Sequence, residues 1–284
     1  MATRVERESV VVTGTSTGIG QALALHLDAL GFRVFATVRT PRDAEAWRAR
    51  SGTVTPVLLD VGDGESVARA GREIEAALHG QGLFALVNNA GMSFRAPLET
   101  VRLDAFRTLL EVNVVGVLAV TQALLPLLRR GRGRIVNVNS LTSFLVTGFH
   151  GPYSASKACL GALSRALRLE LSPLGVSVST MIVGGVQTAL WDKVERLTED
   201  ACRGAPPAVM ALYADRQRRA VAGFVRRGRA GLSPEEAARR IARAVTARRP
   251  QDVYRVGRDA RLTALLAWLL PGKALDWLVS RTLS

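Results

Sequence analysis

Tyr153 and Lys157 stand four residues apart in the run Gly-Pro-Tyr-Ser-Ala-Ser-Lys-Ala, residues 151–158. On a helix that spacing puts a phenol and an ammonium on one face, within reach of one reacting group. The chemistry on offer is proton transfer. A free tyrosine titrates near pH ~10 and is a poor base at neutral pH, whereas a neighbouring cation favours the phenolate and draws the pKa toward the working range. Tyr and Lys also fall four apart on solvated helices, so the pair alone is not diagnostic and the rest of the chain decides.

Near the start, the apolar run Ser9-Val10-Val11-Val12 leads into Thr13-Gly14-Thr15-Ser16-Thr17-Gly18-Ile19-Gly20 and then Gln21 to Leu27, whose apolar positions fit a helix. Strand, Gly-rich turn and helix in that order are the context a dinucleotide fingerprint requires. The glycines let backbone approach a pyrophosphate, and the helix N-terminus offers unpaired N–H groups to its charge. A Gly-rich turn without a ligand is the plain alternative. Apolar runs recur at 9–12, 33–38, 54–59, 84–88, 134–138, 176–183 and 252–256, separated by helical stretches. That alternation predicts an α/β fold of Rossmann type, a doubly wound parallel sheet of seven strands with helices on both faces. At 284 residues, with no internal repeat or long linker, residues 1–284 read as a single domain.

Thr13, Gly14, Gly18 and Gly20 meet the pattern Thr-Gly-x-x-x-Gly-x-Gly, and further landmarks follow in order: Asp60-Val61, Asn88-Asn89-Ala90-Gly91, Asn113, Ser140 thirteen positions before Tyr153, then Tyr153 and Lys157. From about residue 9 to residue 190 the chain resembles the short-chain dehydrogenase/reductase family. The resemblance implies a catalytic set of Asn113, Ser140, Tyr153 and Lys157. Tyr153 acts in it as general acid or base, Lys157 lowers its pKa and meets the nicotinamide ribose, Ser140 donates to the substrate oxygen, and Asn113 holds a water. Ser143 lies near enough to compete with Ser140 but lacks the family spacing. The implied cofactor residues are Gly14, Thr15, Ser16, Thr17, Gly18, Ile19, Gly20, Arg39, Asp60, Val61, Asn89, Ala90, Gly91, Tyr153, Lys157, Gly184, Val186 and Thr188.

Cofactor choice turns on the end of the second strand, Phe35-Ala36-Thr37-Val38-Arg39. A carboxylate about 20 residues past the Gly-rich turn would bond the ribose 2′-OH of NAD and repel a 2′-phosphate. Val38 stands there instead and Arg39 follows, a planar fork suited to phosphate, so NADP(H) is expected over NAD(H). An ordinary surface arginine is the competing reading.

Only two cysteines, Cys159 and Cys202, occur; no disulfide framework or metal site is expected. The charged start, residues 1–8, is no signal peptide, and a cytoplasmic location is expected. The formal net charge is +14, concentrated from residue 201 onward, where seventeen Arg or Lys stand against six Asp or Glu. No nucleic-acid motif or aromatic interleaving accompanies it, so nucleic-acid binding is not expected. The chain holds three lysines, Lys157, Lys193 and Lys273, among 38 basic residues. That arginine bias reflects a GC-rich genome as readily as a ligand. A basic C-terminal part could still steer an acyl carrier protein, a coenzyme A ester or a peripheral membrane contact. Of the histidines, His150 is placed to line the pocket, while His26 and His79 suit helix surfaces.

After the sixth strand, Val183-Gly184-Gly185-Val186-Gln187-Thr188 carries Val183 where the family has Pro, which predicts a less rigid backbone. Residues 189–230 read as a substrate lid with Leu190, Trp191, Val194, Leu197, Met210, Leu212, Tyr213 and Phe224 among charges; ordinary packing is the alternative. Ser233-Pro234-Glu235-Glu236 is a capping box opening a helix from Ala237 to Ala247. Residues 258–284 form an expected helical extension, its apolar stretch Leu262 to Leu270 far short of the about 20 residues needed to span a bilayer. It would pack on the core or an oligomer face, or lie on a membrane surface. The pattern resembles the branch of 17-beta-hydroxysteroid and retinol dehydrogenases, which implies hydride transfer between the cofactor and a hydrophobic ketone or alcohol in a homodimer or homotetramer. A 3-oxoacyl-carrier-protein or coenzyme A reductase is the enzymatic alternative, and a silent cofactor-binding regulator the non-enzymatic one.

Overall fold

The apolar runs become strands: β1 (Ser9–Val12), β2 (Arg33–Val38), β3 (Thr55–Leu58), β4 (Ala85–Asn88), β5 (Arg134–Ser140), β6 (Ser177–Val183) and β7 (Val253–Val256). Between them lie helices α1 (Gly18–Ala29), α2 (Pro41–Arg50), α3 (Gly64–Leu78), α4 (Leu103–Leu110), α5 (Gly116–Arg130), α6 (Gly151–Leu171), α7 (Leu190–Ala201), α8 (Pro207–Arg229) and α9 (Pro234–Thr246). The computed structural model describes residues 8–257, 272–275 and 277. Among them the strands form one sheet in the order β3-β2-β1-β4-β5-β6-β7, every pair parallel.

Burial on both faces explains why the strands read as continuous apolar runs. Successive side chains alternate between faces. Val10 and Val12 join Leu23 and Leu27 of α1 and Ile241 and Val245 of α9 in one core layer. Val11 joins Ile74 and Leu78 of α3 and Val120, Leu124 and Leu127 of α5 in the other. Residues 103–130 form a helix long and apolar enough to cross a membrane by length and composition. Here its α5 half is a core helix, with Val120, Leu124, Leu127 and Leu128 at most 2% exposed.

On the α5 and α6 face the core is pinned by polar groups. Asn88 Nδ2 donates to Thr121 Oγ1 at 3.1 Å and Asn137 Oδ1 at 2.9 Å, and Asn137 Nδ2 donates to Ser164 Oγ at 2.9 Å. Buried amides are costly unless bonded, so this chain fixes α5 and α6 against β4 and β5. It thereby sets the height at which α6 presents its first turns.

The segment 189–230 folds as α7 and α8. Of the expected extension 258–284, residues 272–275 and 277 are described and helical, and the rest lies outside the described residues. The capping box opens α9 three residues before Ala237, at Pro234: Ser233 Oγ accepts from Glu236 N at 3.1 Å, and the Glu236 carboxylate pairs with Arg240. Replacing an N-cap serine by alanine costs about 1 kcal/mol. Ser233→Ala is therefore expected to lower the thermal midpoint by about 2–4 °C, read by calorimetry or circular dichroism; an unchanged midpoint would remove the cap from the account of α9.

Candidate active site

Strand order reverses between β1 and β4, so their carboxyl ends part and open a crevice. Thr13 locks its edge. Its Oγ1 accepts from the N–H groups of Asn89 at 2.9 Å and Ala90 at 3.0 Å, while Asn89 Nδ2 donates to Thr13 O at 2.9 Å and Gly14 O at 3.1 Å. The approach is too close for side chains on the glycines. A Cβ on Gly20 would lie 2.3 Å from Gly14 O, and one on Gly14, at φ +70°, 2.8 Å from Ala90 Cα.

A groove of about 460 Å³ runs along this turn, lined among others by Gly14, Ser16, Thr17, Gly18, Ile19, Gly20, Arg39, Asp60, Val61, Asn89, Ala90, Gly91 and Thr188. Its donor set fits an anionic dinucleotide. Helix α1 begins without a side-chain cap and without an acidic residue in its first turn, which leaves its N–H groups to an incoming anion. Arg39 is exposed at the groove's edge. Thr15 departs from expectation. Its side chain is fully buried, with Oγ1 bonded to Thr37 O at 3.0 Å, and Trp47 Nε1 donates to its carbonyl, so it braces β2 and α2 instead of lining the groove. Arg196 of α7 also lines the groove. Nothing in the sequence distinguished it from the many other arginines.

Ile19, Asn89, Gly91, Met92 and Thr188 are shared with a second cavity, of about 330 Å³. Ser140, Tyr153, Lys157, Gly184 and Val186 line it. Ser140 ends β5 and Tyr153 lies in the first turn of α6, both facing the cavity. Ser143 turns away, its Oγ donating to Ser140 O at 2.7 Å, and of the two serines Ser140 lines the cavity. One turn after Tyr153, Lys157 is 5% exposed, its Nζ donating to Val138 O at 3.0 Å and lying 5.7 Å from the Tyr153 ring centroid.

Asn113 is fully buried in a single π-helical turn, Glu111–Val115, between α4 and α5. Such turns re-aim side chains and often mark functional sites. Its Nδ2 donates to Met92 O at 2.9 Å and Ser156 Oγ at 3.0 Å, and its Oδ1 accepts from Met92 N at 2.9 Å. The amide is thus committed to protein, and it fixes the loop that follows Gly91. A Cβ on Gly91 would stand 3.2 Å from Asn113 Oδ1 and 3.9 Å from Lys157 Nζ, so the glycine keeps that space clear.

Burial, more than the pairing, governs the charges here. It pushes the Tyr153 hydroxyl up to about 12, the Ser140 hydrogen bond opposing, and pushes Lys157 down to about 8. The expectation that Lys157 draws the tyrosine downward is corrected for the protein without cofactor: loss of water disfavours phenolate and ammonium alike.

The other side of the cavity holds His150, as its position just before Tyr153 led one to expect, together with arginines the motifs did not reveal. His150, fully buried, stacks on Tyr153 with ring centroids 4.7 Å apart and meets Ser93 Oγ through Nε2 at 3.1 Å. Burial and then Arg95 hold its pKa well below the usual histidine range. Arg95 and Arg227 also line the cavity. The loop after β6 is better held than Val183 led one to expect. Gly184 N donates to Val256 O, Leu232 N to Gly185 O and Gln187 N to Leu232 O at 2.9–3.0 Å, replacing the rigidity of a proline with cross-links.

Comparison with known proteins places these features in context. The sequence profile described as short chain dehydrogenase matches residues 8–198. Estradiol 17-beta-dehydrogenase 2 of Mus musculus is 33% identical, over 98% of this chain and 75% of its own. Retinol dehydrogenase 5 of Homo sapiens is 34% identical, over 94% and 86%. Among solved structures, a short chain dehydrogenase from Burkholderia cenocepacia in complex with NADP has TM-score 0.73 and 26% identity, covering 99% of this chain and 100% of that one. One from Burkholderia phymatum in complex with NAD has TM-score 0.75 and 26% identity, covering 99% and 98%.

A lysine whose pKa falls on folding binds fewer protons in the folded state between pH 8 and 10.5, so stability rises with pH across that window. Below it the buried charge costs on the order of 3 kcal/mol. Lys157→Met is therefore expected to be the more stable protein at pH 7 in the absence of cofactor, by a margin that shrinks as pH approaches 10.5. Thermal midpoints of both proteins across this range test it; a margin independent of pH would contradict the burial account.

Proposed function

The chain belongs to the short-chain dehydrogenase family, in the branch of 17-beta-hydroxysteroid and retinol dehydrogenases, and we propose that it interconverts a hydrophobic ketone or aldehyde with its alcohol through Tyr153. Oxidoreduction of an alcohol or ketone with a nicotinamide cofactor is what membership itself establishes. The observation that carries the finer reading is that Ser140, Tyr153 and Lys157 line one cavity, which adjoins the groove along the glycine turn.

A bound nicotinamide dinucleotide supplies or accepts the hydride at the substrate carbon. In reduction the Tyr153 hydroxyl gives its proton to the carbonyl oxygen as the carbon gains the hydride, and in oxidation it takes the proton back. A pKa pushed up to about 12 keeps that proton in place at neutral pH, the form reduction needs. Ser140 Oγ donates to the same oxygen while negative charge grows on it. Lys157 would hydrogen-bond the nicotinamide ribose and bring a cation to the tyrosine. Because the Asn113 amide is spent on Met92 and Ser156, the water assigned to this residue would be held by its backbone.

The cofactor reading is NADP(H), supported by exposed Arg39 beside the groove and by Val38, 1% exposed, where a carboxylate would turn a 2′-phosphate away. The substrate reading rests on the apolar lining by Met92, Leu141, Leu145 and Val186, and on exposed Phe144 and Val146 in the same loop as Leu141 and Leu145. In this reading α7 and α8 serve as the lid over it.

Tyr153→Phe is expected to lower turnover of lipophilic ketones by about 10²–10⁴-fold while cofactor binding, followed by nicotinamide fluorescence, persists; undiminished turnover would sink the mechanism. Arg39→Ala should lower the NADP over NAD ratio of kcat/KM by roughly tenfold or more, in line with the loss of one charge-assisted contact. An unchanged ratio would remove Arg39 from cofactor selection.

A further inference from the structure

Arg95 is 1% exposed, among the largest fully buried side chains of the protein, and among the described residues no carboxylate pairs with it. A buried charge is ordinarily paired, because leaving water costs several kcal/mol per ion. Everything around this guanidinium is neutral or positive. Its hydrogen bonds are long, 3.4 Å to Gly148 O and 3.5 Å to Thr147 Oγ1 and to His150 Nδ1, its Nε has no partner, and the Phe224 ring lies 4.0 Å from its centre. A charge that acts on it is another guanidinium, that of half-buried Arg227, and both line the same cavity. Among the described residues no Asp or Glu lines that cavity.

The backbone of Arg95 already performs the structural task at this position. Its N–H donates to Thr198 Oγ1 at 3.0 Å and its carbonyl accepts from Gln217 Nε2 at 3.1 Å, tying the loop after β4 to α7 and α8. The guanidinium is not needed for that. The His150 ring links it to the reacting centre, stacking on Tyr153 and meeting Arg95 through Nδ1.

We propose that the substrate carries a carboxylate, seated by Arg95 and Arg227 at the end of the cavity away from Tyr153, with an apolar chain between that carboxylate and the reacting carbonyl. The substrate class is then an amphipathic oxo-acid or hydroxy-acid in place of a wholly neutral ketone. The inference rests on the oxidoreductase reading above and narrows it. Carboxylate oxygens would supply the acceptors that Arg95 lacks and would separate two cations that otherwise repel, and planar guanidinium groups suit bidentate carboxylates.

The test compares oxo-acids of increasing chain length with their methyl esters, using purified full-length protein and either reduced cofactor. The expected result is kcat/KM for a mid-length acid roughly 10–100-fold above that of its ester, carried mainly by KM, with Arg227→Gln lowering the acid-over-ester ratio at least tenfold. Equal turnover of acid and ester, or a ratio untouched by Arg227→Gln, overturns it. So does a fall in cofactor affinity that accounts for the whole effect, since the arginines would then serve the cofactor. Should no oxo-compound turn over, the oxidoreductase reading with this substrate class fails on its own. Calorimetric titration with decanoate against decanol then decides: binding that favours decanoate and weakens in Arg227→Gln upholds the carboxylate site, and its absence overturns it.

Discussion

The molecule is organised by the parting of β1 from β4 and by the hydroxyl that fastens the two ends there. Thr13 Oγ1 takes the N–H groups of both Asn89 and Ala90, and Asn89 returns its amide to the backbone of the glycine turn. This reciprocal clasp satisfies backbone groups that the diverging strands would otherwise leave without partners. It also draws the two chains so near that Gly14 and Gly20 have no room for a side chain. The groove, the bare start of α1 and the second cavity beyond Gly91 all take their positions from it.

In that second cavity the dominant physical effect is removal of water. Desolvation raises Tyr153, lowers Lys157, holds His150 neutral and brings Arg95 down to about 9. Four titratable groups are thus pushed toward their uncharged forms at once. A site so arranged binds charge strongly when it arrives on a ligand, because there is little solvent to compete. The same low polarity favours an apolar body between charged ends, and Met92, Leu141 and Val186 provide the lining for one.

Much of the fold was legible because its signals are local. The seven apolar runs correspond to the seven strands with edges shifted by a residue or two, and Ser233 followed by Glu236 announces α9 through its own cap. The glycine positions were legible too, since close backbone approach leaves glycine as the residue that fits. Chemistry outside a spaced motif was not. Arg95, Arg196 and Arg227 are three among 38 basic residues, and no spacing sets them apart. Thr15 sits inside the glycine motif yet faces β2, because the turn rotates successive side chains to different sides.

By itself the sequence determined the order of elements and the family, and it singled out Ser140, Tyr153 and Lys157, which share one cavity, since each depends on spacing that the chain carries locally. Tertiary structure alone decided what surrounds them. It decided that Ser143 turns back on Ser140, that the Asn113 amide is spent on Met92 and Ser156, and that cross-links to 232 and 256 hold the loop after Val183. It decided also that an arginine from the loop after β4 and another from α8 share one dry cavity. The reason is physical: burial and electrostatic neighbourhood depend on which distant segments meet, and no periodicity along a chain encodes that meeting.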